Sequence, residues 1–173
     1  MFPKHINLNK YLKSPVIPCL VTFIIAFYNL RIGPVMSVDG LTYSSHADLL
    51  INLEFNYFLY FESNALERLV PITLPITLIA LLKIISPAQW MEYFVYINII
   101  FVFIAVYLFQ RAMLSLKINN AVIGVCCFLL IFSVDYLTWP RFILTDTIYA
   151  SLSFLLIYIT LSIRNFHLRK ISI

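Results

Sequence analysis

The chain has 173 residues, of which 62% are hydrophobic and only 12% are charged, and its mean hydropathy is +0.92. A soluble domain is typically about 45–50% apolar and about 25% charged, so the composition excludes an ordinary soluble domain and favours an integral membrane protein. The net charge of +4 comes from basic residues that flank apolar segments and form no patch, which excludes nucleic acid binding.

Five apolar stretches follow one another along the chain. They cover residues 15–36, 70–85, 93–109, 121–139 and 147–163. They are continuous and lack the alternation of β-barrel strands, so they predict helices, and a helical span needs about 20 residues. The first stretch follows a basic N-terminus, as a secretory signal would, but no small-residue cleavage site comes after it. An uncleaved anchor is the favoured interpretation.

The distribution of charge predicts the orientation of these helices. Basic residues cluster in three zones: Lys4, Lys10 and Lys13; Arg111 and Lys117; and Arg164, Arg169 and Lys170. The acidic residues all lie outside those zones. Cytoplasmic loops are enriched in lysine and arginine, so the three basic zones are predicted to be cytoplasmic and every acid to lie on the outer face.

This orientation requires an even number of spans between successive basic zones. The stretch 70–85, which carries prolines near its start, is therefore predicted to lie along the outer face without crossing. The resulting prediction is an all-α integral membrane protein with about four spans, one at 15–36 and three within 92–163. Residues 1–14 and 164–173 are cytoplasmic, and 37–91 form a long outer loop. Five spans with an outer C-terminus is the alternative.

The outer loop is predicted to contain two interfacial helices, over 41–61 and 70–85. In the first, the polar residues Ser44, Asp48, Asn52 and Asn56 recur every four positions and would form one stripe along an apolar helix. Such a helix suits the membrane interface, with the stripe facing water, a cavity or the rest of the bundle.

Two acids in the predicted outer region are candidate site residues. Asp39 precedes the first interfacial helix, where it would either cap that helix or serve as a working carboxylate. Asp146, next to Thr145, stands at the start of the last span, where capping is again the simpler role. If the two carboxylates share a cavity, they would supply a base, and Arg68, Lys83 or Arg141 would supply a cation for phosphate.

The cysteines carry no site prediction. Cys19, Cys126 and Cys127 all lie within apolar stretches, and an adjacent pair inside a span matches no zinc-binding spacing. They are interpreted as small buried hydrophobic residues, and no metal ligand is assigned to the chain.

Four short motifs resemble the N-terminal module of the GT-C-fold membrane glycosyltransferases, the group that includes protein O-mannosyltransferases and the aminoarabinose transferases acting on lipid A. They are Asp39-Gly40-x-x-Tyr43-x-x-x-Ala47, the proline-bearing stretch 70–75, the span ending Phe109-Gln110-Arg111, and the hairpin running from Pro140 to Thr145-Asp146. The resemblance covers nearly the whole chain, through motifs that are short and degenerate.

The resemblance implies a reaction and a set of site residues. A sugar would pass from a polyprenyl-phosphate donor to an acceptor at the outer face of the bacterial inner membrane. Asp39 and Asp146 correspond to the catalytic or metal-associated acids of the family, so a divalent metal is compatible with the site. Tyr43, Arg68 and Arg141 would bind substrate. The implied partners are the lipid bilayer and the lipid-linked donor.

Two departures from the family pattern qualify this implication. Gly40 stands where many members have glutamate, so a paired acid is missing. Family members continue through several further spans, so this chain corresponds to a truncated form or to half of a fold that a partner membrane subunit completes. The alternative function is a non-catalytic membrane subunit. A transporter is disfavoured because no charged residue lies in the middle of a predicted span.

Overall fold

The structure, a computed structural model, describes residues 15–62, 72–133, 137–143 and 146–171. At residues 131, 132, 146 and 164–171 it describes only the backbone. Throughout these ranges the regular secondary structure is helical, and the β-type pairing consists of an isolated parallel bridge between Val35 and Phe142. The prediction of an all-α protein is therefore confirmed for the described part of the chain.

The described helices are numbered here in chain order. They are α1 (Val16–Ile32), α2 (Val38–Asn52), α3 (Tyr57–Glu62), α4 (Thr73–Ile85), α5 (Trp90–Ser115), α6 (Asn120–Phe132), a 3-10 helix (Trp139–Arg141) and α7 (Asp146–Ile171).

Helix α5 is long and apolar enough to cross a membrane. Its 26 residues correspond to about 39 Å at 1.5 Å per residue, more than the roughly 30 Å of a bilayer core. The remaining apolar helical segments, including Thr147–Ile163 within α7, have only 10–17 residues. By length and composition, one spanning helix is thus identified among the described residues, where the sequence predicts about four.

Two predicted helices have different bounds in the structure. The stretch 41–61 contains α2 and α3, because the chain turns between them at Glu54 and Phe55, whose φ angles are 51° and 60°. Asn56 therefore leaves the predicted polar stripe, and its Oδ1 accepts a hydrogen bond from the N–H of Leu59 at the start of α3. Within the apolar stretch 121–139, helix α6 ends at Phe132.

Helix α5 lies at the centre of the fold and contributes to two hydrophobic cores. Near its start, Phe94 is buried with residues of α2, α3 and α4, and with Ile143 and Ile148. Farther along, Val102 and Val106 are buried with residues of α1 and α6. Helix α7 also packs along α5, and the Ser151 hydroxyl of α7 donates a 2.7 Å hydrogen bond to the carbonyl of Phe101.

The helices are arranged so that one end of the bundle gathers several termini. The end of α1, the first half of α5 (at Asn98) and the start of α7 all lie against residues 137–143. The start of α2 lies against the same segment. This common end holds the candidate site.

Candidate functional site

Helix α2 begins at a capped terminus two residues before Asp39. Ser37 has extended backbone angles, and its Oγ accepts a 2.9 Å hydrogen bond from the N–H of Gly40. Serine is among the preferred N-cap residues because its oxygen satisfies an N–H that has no partner within the helix. Capping, which was one expected role of Asp39, is performed by Ser37. Asp39 lies in the first turn with an exposed side chain. Its negative charge there interacts favourably with the positive end of the helix dipole.

Gly40 allows α2 to approach residues 137–143, a stretch called the return segment below. A Cβ atom at Gly40 would lie 2.7 Å from the carbonyl oxygen of Ile143 and 3.1 Å from its Cβ. Only glycine fits at that separation. Close packing between the start of α2 and the return segment therefore explains why position 40 is a glycine.

The loop before α2 is also hydrogen-bonded to the return segment. The N–H of Val35 donates to the carbonyl of Arg141 at 2.9 Å, and the N–H of Ile143 donates to the carbonyl of Val35 at 3.1 Å. These two bonds form the isolated bridge of the fold. The segment that leads to Asp39 is thereby aligned with the segment that carries Arg141 and leads to Asp146.

Asn29, in the last turns of α1, binds the return segment through its side chain. Its Nδ2 donates to the carbonyl of Leu137 at 2.7 Å, and its Oδ1 accepts from the N–H of Arg141 at 3.1 Å. Asn29 is fully buried. Because a buried amide side chain is costly unless it is hydrogen-bonded, these contacts explain its presence in an otherwise apolar helix.

Asn98 of α5 also binds the return segment through its side chain. Its Nδ2 donates to the carbonyls of Pro140 and Phe142, at 3.1 and 3.3 Å, and its side chain is fully buried. The two accepting carbonyls belong to the residues on either side of Arg141. Two helices thus hold the return segment by the amide groups of Asn29 and Asn98.

Arg141 is a cation with unused hydrogen-bonding capacity. Its side chain is half-buried and its guanidinium carbon lies 5.2 Å from the centre of the Phe142 ring. Its Nε is buried and has no hydrogen-bond acceptor among the described residues. A guanidinium in this state can offer a directed N–H to an anionic oxygen.

Lys83, by contrast, is already engaged. Its Nζ lies 2.7 Å from Oδ1 of Asp48 and donates to both the hydroxyl and the carbonyl of Ser44, at 2.7 and 3.0 Å. The same ammonium lies 5.2 Å from the centre of the Trp90 ring. The polar side of α2 therefore binds α4 through Lys83, and this lysine is a poorer phosphate-binding candidate than Arg141.

Tyr43 lies on α2 one turn beyond Asp39, so the two side chains share a face of the helix. The half-buried Tyr43 packs against the core cluster that contains Ile143 and, at the start of α7, Ile148. The Oη of Tyr149 is buried and has no hydrogen-bond partner in the described part of the chain. Tyr149 follows Asp146 by three positions, which places both residues on one side of α7.

The predicted site residues fall into three groups. Asp39, Tyr43 and Arg141 lie on the two segments that meet at the common end of the bundle. Asp146 is the first residue of α7, three positions after Ile143, and its side chain is outside what the structure describes. Arg68 and Thr145 lie outside the described residues.

Sequence reasoning missed the residues that bring these segments together. Asn29 and Asn98 were not singled out, although each is an amide within an apolar stretch, and that is a signal of a buried polar contact. Tyr149 carried no comparable signal, because tyrosine is common in this chain.

The described side chains form no cluster of the kind that binds a metal ion. Among the residues that the structure describes, no group of three or more histidine, cysteine, aspartate or glutamate side chains is placed to hold an ion. The carboxylates of Asp39 and Asp146 would be the ligands if a divalent ion bound here.

Comparison with protein-family models, with curated proteins and with solved structures finds no match to this chain.

Proposed function

We propose that this protein is an integral membrane protein that transfers a sugar from a polyprenyl-phosphate donor to an acceptor at the outer face of the bacterial inner membrane. In this proposal α1, α5, α6 and α7 span the membrane, and both termini are cytoplasmic. The GT-C-like motifs of the sequence supply the reaction class. The common end of the bundle supplies the site.

Two features support the membrane arrangement. Helix α1 exposes large apolar side chains, including Phe23 at 67% and Phe27 at 59%, as a surface in contact with lipid would. The return segment is not a regular α-helix over its length, since it includes the 3-10 helix Trp139–Arg141. Its carbonyls at Leu137, Pro140 and Phe142 accept hydrogen bonds from Asn29 and Asn98. Irregular backbone at membrane depth requires partners of this kind, because lipid offers no hydrogen bonds.

The observation that carries the proposal is the contact between Gly40 and Ile143. It joins the segment bearing Asp39 and Tyr43 to the segment that bears Arg141 and continues into Asp146. An acid, a phenol and a guanidinium whose Nε has no acceptor among the described residues are thus contributed to one end of the molecule by parts of the sequence that are far apart.

The reaction then assigns a role to each residue. Asp39 accepts the proton of the acceptor hydroxyl as its oxygen forms a bond to the anomeric carbon. The bond from that carbon to the phosphate oxygen breaks, and polyprenyl phosphate leaves. Arg141 and Arg68 balance the charge of the phosphate, Tyr43 binds the substrate, and Asp146 provides a second carboxylate beside the reacting centre.

The test is sugar transfer by the full chain in proteoliposomes supplied with polyprenyl-phosphate mannose or polyprenyl-phosphate aminoarabinose. Asp39→Asn should lower transfer by at least about 100-fold, the usual loss when a general base is removed. Asp48→Asn is the matched control, since Asp48 is an exposed acid on the same helix and is paired with Lys83. Equal transfer by wild type and Asp39→Asn would rule out the catalytic role.

A non-catalytic membrane subunit is the second candidate, and the exposure of the Asp39 side chain favours it. A general base is more often held in a closed pocket, where desolvation tunes its pKa. In this case cells carrying Asp39→Asn and Asp48→Asn would behave alike at normal protein levels, while deletion of the chain would still alter the envelope.

A further inference from the structure

We propose that Asn29 and Asn98 are positioning residues, which hold the return segment so that Arg141 faces the phosphate of the lipid-linked donor. The inference rests on the proposed function for the identity of the ligand. The hydrogen bonds of Asn29 and Asn98 hold the return segment whatever ligand Arg141 binds.

The two amides bind the backbone immediately around Arg141. Asn29 accepts the N–H of Arg141 itself, and Asn98 donates to the carbonyls of the preceding and following residues, Pro140 and Phe142. The carbonyl of Arg141 accepts the N–H of Val35. Both backbone polar groups of Arg141 are therefore bound, which fixes the direction in which its side chain leaves the backbone.

Asparagine suits these positions for a chemical reason. An amide offers two N–H donors and a carbonyl acceptor on a short side chain. Asn98 uses both donors on the return segment, and Asn29 uses a donor and its acceptor there. Leucine has a similar shape but can form none of these bonds, so it would leave the buried backbone groups of the return segment without these partners.

The bonds of Asn29 join helix α1 to a segment that is far away in sequence. They connect it to residues 108 and 112 positions away. Without the bonds of Asn29 and Asn98, the return segment would retain the bridge to Val35 and the packing against Gly40 but would lose these side-chain hydrogen bonds to α1 and α5. Arg141 would then sample several directions.

The first measurement is the affinity of the full chain in detergent for undecaprenyl phosphate. Native mass spectrometry detects the bound lipid. Arg141→Gln should weaken binding about tenfold, through loss of a charge-assisted hydrogen bond. Asn29→Leu and Asn98→Leu should each weaken it about five- to tenfold. Ser151→Ala is the control, because it removes a buried hydrogen bond between α7 and α5 without touching the return segment.

The second measurement reports position directly. Cysteines at Val35 and Phe142, the bridged pair, should form a disulfide rapidly in a chain whose three native cysteines are replaced by alanine. Asn29→Leu and Asn98→Leu should slow this crosslinking, whereas Ser151→Ala should not. Equal rates in all variants would overturn the inference.

The two measurements distinguish failure of the positioning role from failure of the proposed function. If the leucine variants bind undecaprenyl phosphate as wild type does, or if Ser151→Ala weakens binding equally, the positioning role is wrong. If wild type does not bind this lipid, the proposed function fails. The crosslinking rates then decide whether the two asparagines hold the return segment.

Discussion

Gly40 and Ile143 are in such close contact that the space between them admits no side chain. A Cβ atom at Gly40 would lie 2.7 Å from the Ile143 carbonyl oxygen, which belongs to the backbone and cannot simply rotate away. We therefore expect Gly40→Ala to push α2 from the return segment, although alanine is the better helix former.

The loss should be about 1–3 kcal/mol of unfolding free energy, typical of overpacking, and can be measured by denaturant unfolding in detergent. Ser45→Ala is the control, since Ser45 is exposed on the same helix. A Gly40→Ala protein as stable as wild type would show that the two segments are not in contact.

The capping of α2 by Ser37 leads to a second prediction. Ser37→Ala should cost about 1 kcal/mol, because the N–H of Gly40 loses its acceptor, and Ser37→Asp should restore most of that stability. Asp39→Asn should change stability by less than about 1 kcal/mol, because only the interaction with the helix dipole is weakened. Thermal unfolding of the purified variants separates the two effects. A larger loss of stability in Asp39→Asn than in Ser37→Ala would mean that Asp39, and not Ser37, stabilises the start of α2.

Substitution of Lys83 should lower stability more than substitution of its ion-pair partner Asp48. Lys83 is 15% exposed and Asp48 is 58% exposed. Lys83→Met removes the bonds to Ser44 as well as the ion pair and should cost about 1–3 kcal/mol. Asp48→Asn leaves Lys83 bound to Ser44 and should cost less than about 1 kcal/mol. Denaturant unfolding of the two variants and the double mutant tests this order, and equal losses would contradict it.

Tyr60 should make stability depend on alkaline pH. Burial of its side chain raises the pKa of the phenol from 10.0 to about 12. The unfolded chain releases this proton at lower pH than the folded chain does, so the contribution is fully present below pH 10 and is lost as the pH rises toward 12.

Tyr60→Phe removes this titration but keeps the ring. The difference in melting temperature between wild type and Tyr60→Phe should therefore shrink or reverse between pH 10 and pH 12. Tyr96→Phe, at an exposed tyrosine of α5, should show a smaller change. A pH-independent difference for Tyr60→Phe would indicate that its phenol titrates normally.

The proposed four spans predict where reporters will be active. A fluorescent reporter that folds only in the cytoplasm should be active when fused after residue 173 or after Lys117, because both follow an even number of proposed spans. Alkaline phosphatase, which requires the outer side, should be inactive at both positions. Phosphatase activity at residue 173 would favour five spans.

The apolar stretches of the sequence predicted the helical class and most helix positions, because helix formation depends on local composition. The stretch 93–109 became α5, and its length satisfies a membrane span without reference to any other part of the chain. The turn at Glu54 and Phe55 was not predicted, because neither residue type favours a positive φ angle.

The candidate site could be predicted only in part. Asp39 and Tyr43 were linked by their helical spacing, a local property. Their proximity to the return segment depends on Gly40 fitting against Ile143. The choice of Arg141 over Lys83 depends on Asp48 and Ser44 already binding the lysine.

The sequence by itself therefore determined the apolar composition, the helical class and the distribution of charged residues around the apolar stretches. The tertiary structure decided which segments meet at the common end, and it decided that Lys83 is bound by Asp48 and Ser44 while Nε of Arg141 has no acceptor among the described residues. The physical reason is that a helix is stabilised by residues three or four positions apart, whereas Asn29 binds residues 108 and 112 positions away. Contacts over such separations arise only when whole helices pack, and no local pattern encodes them.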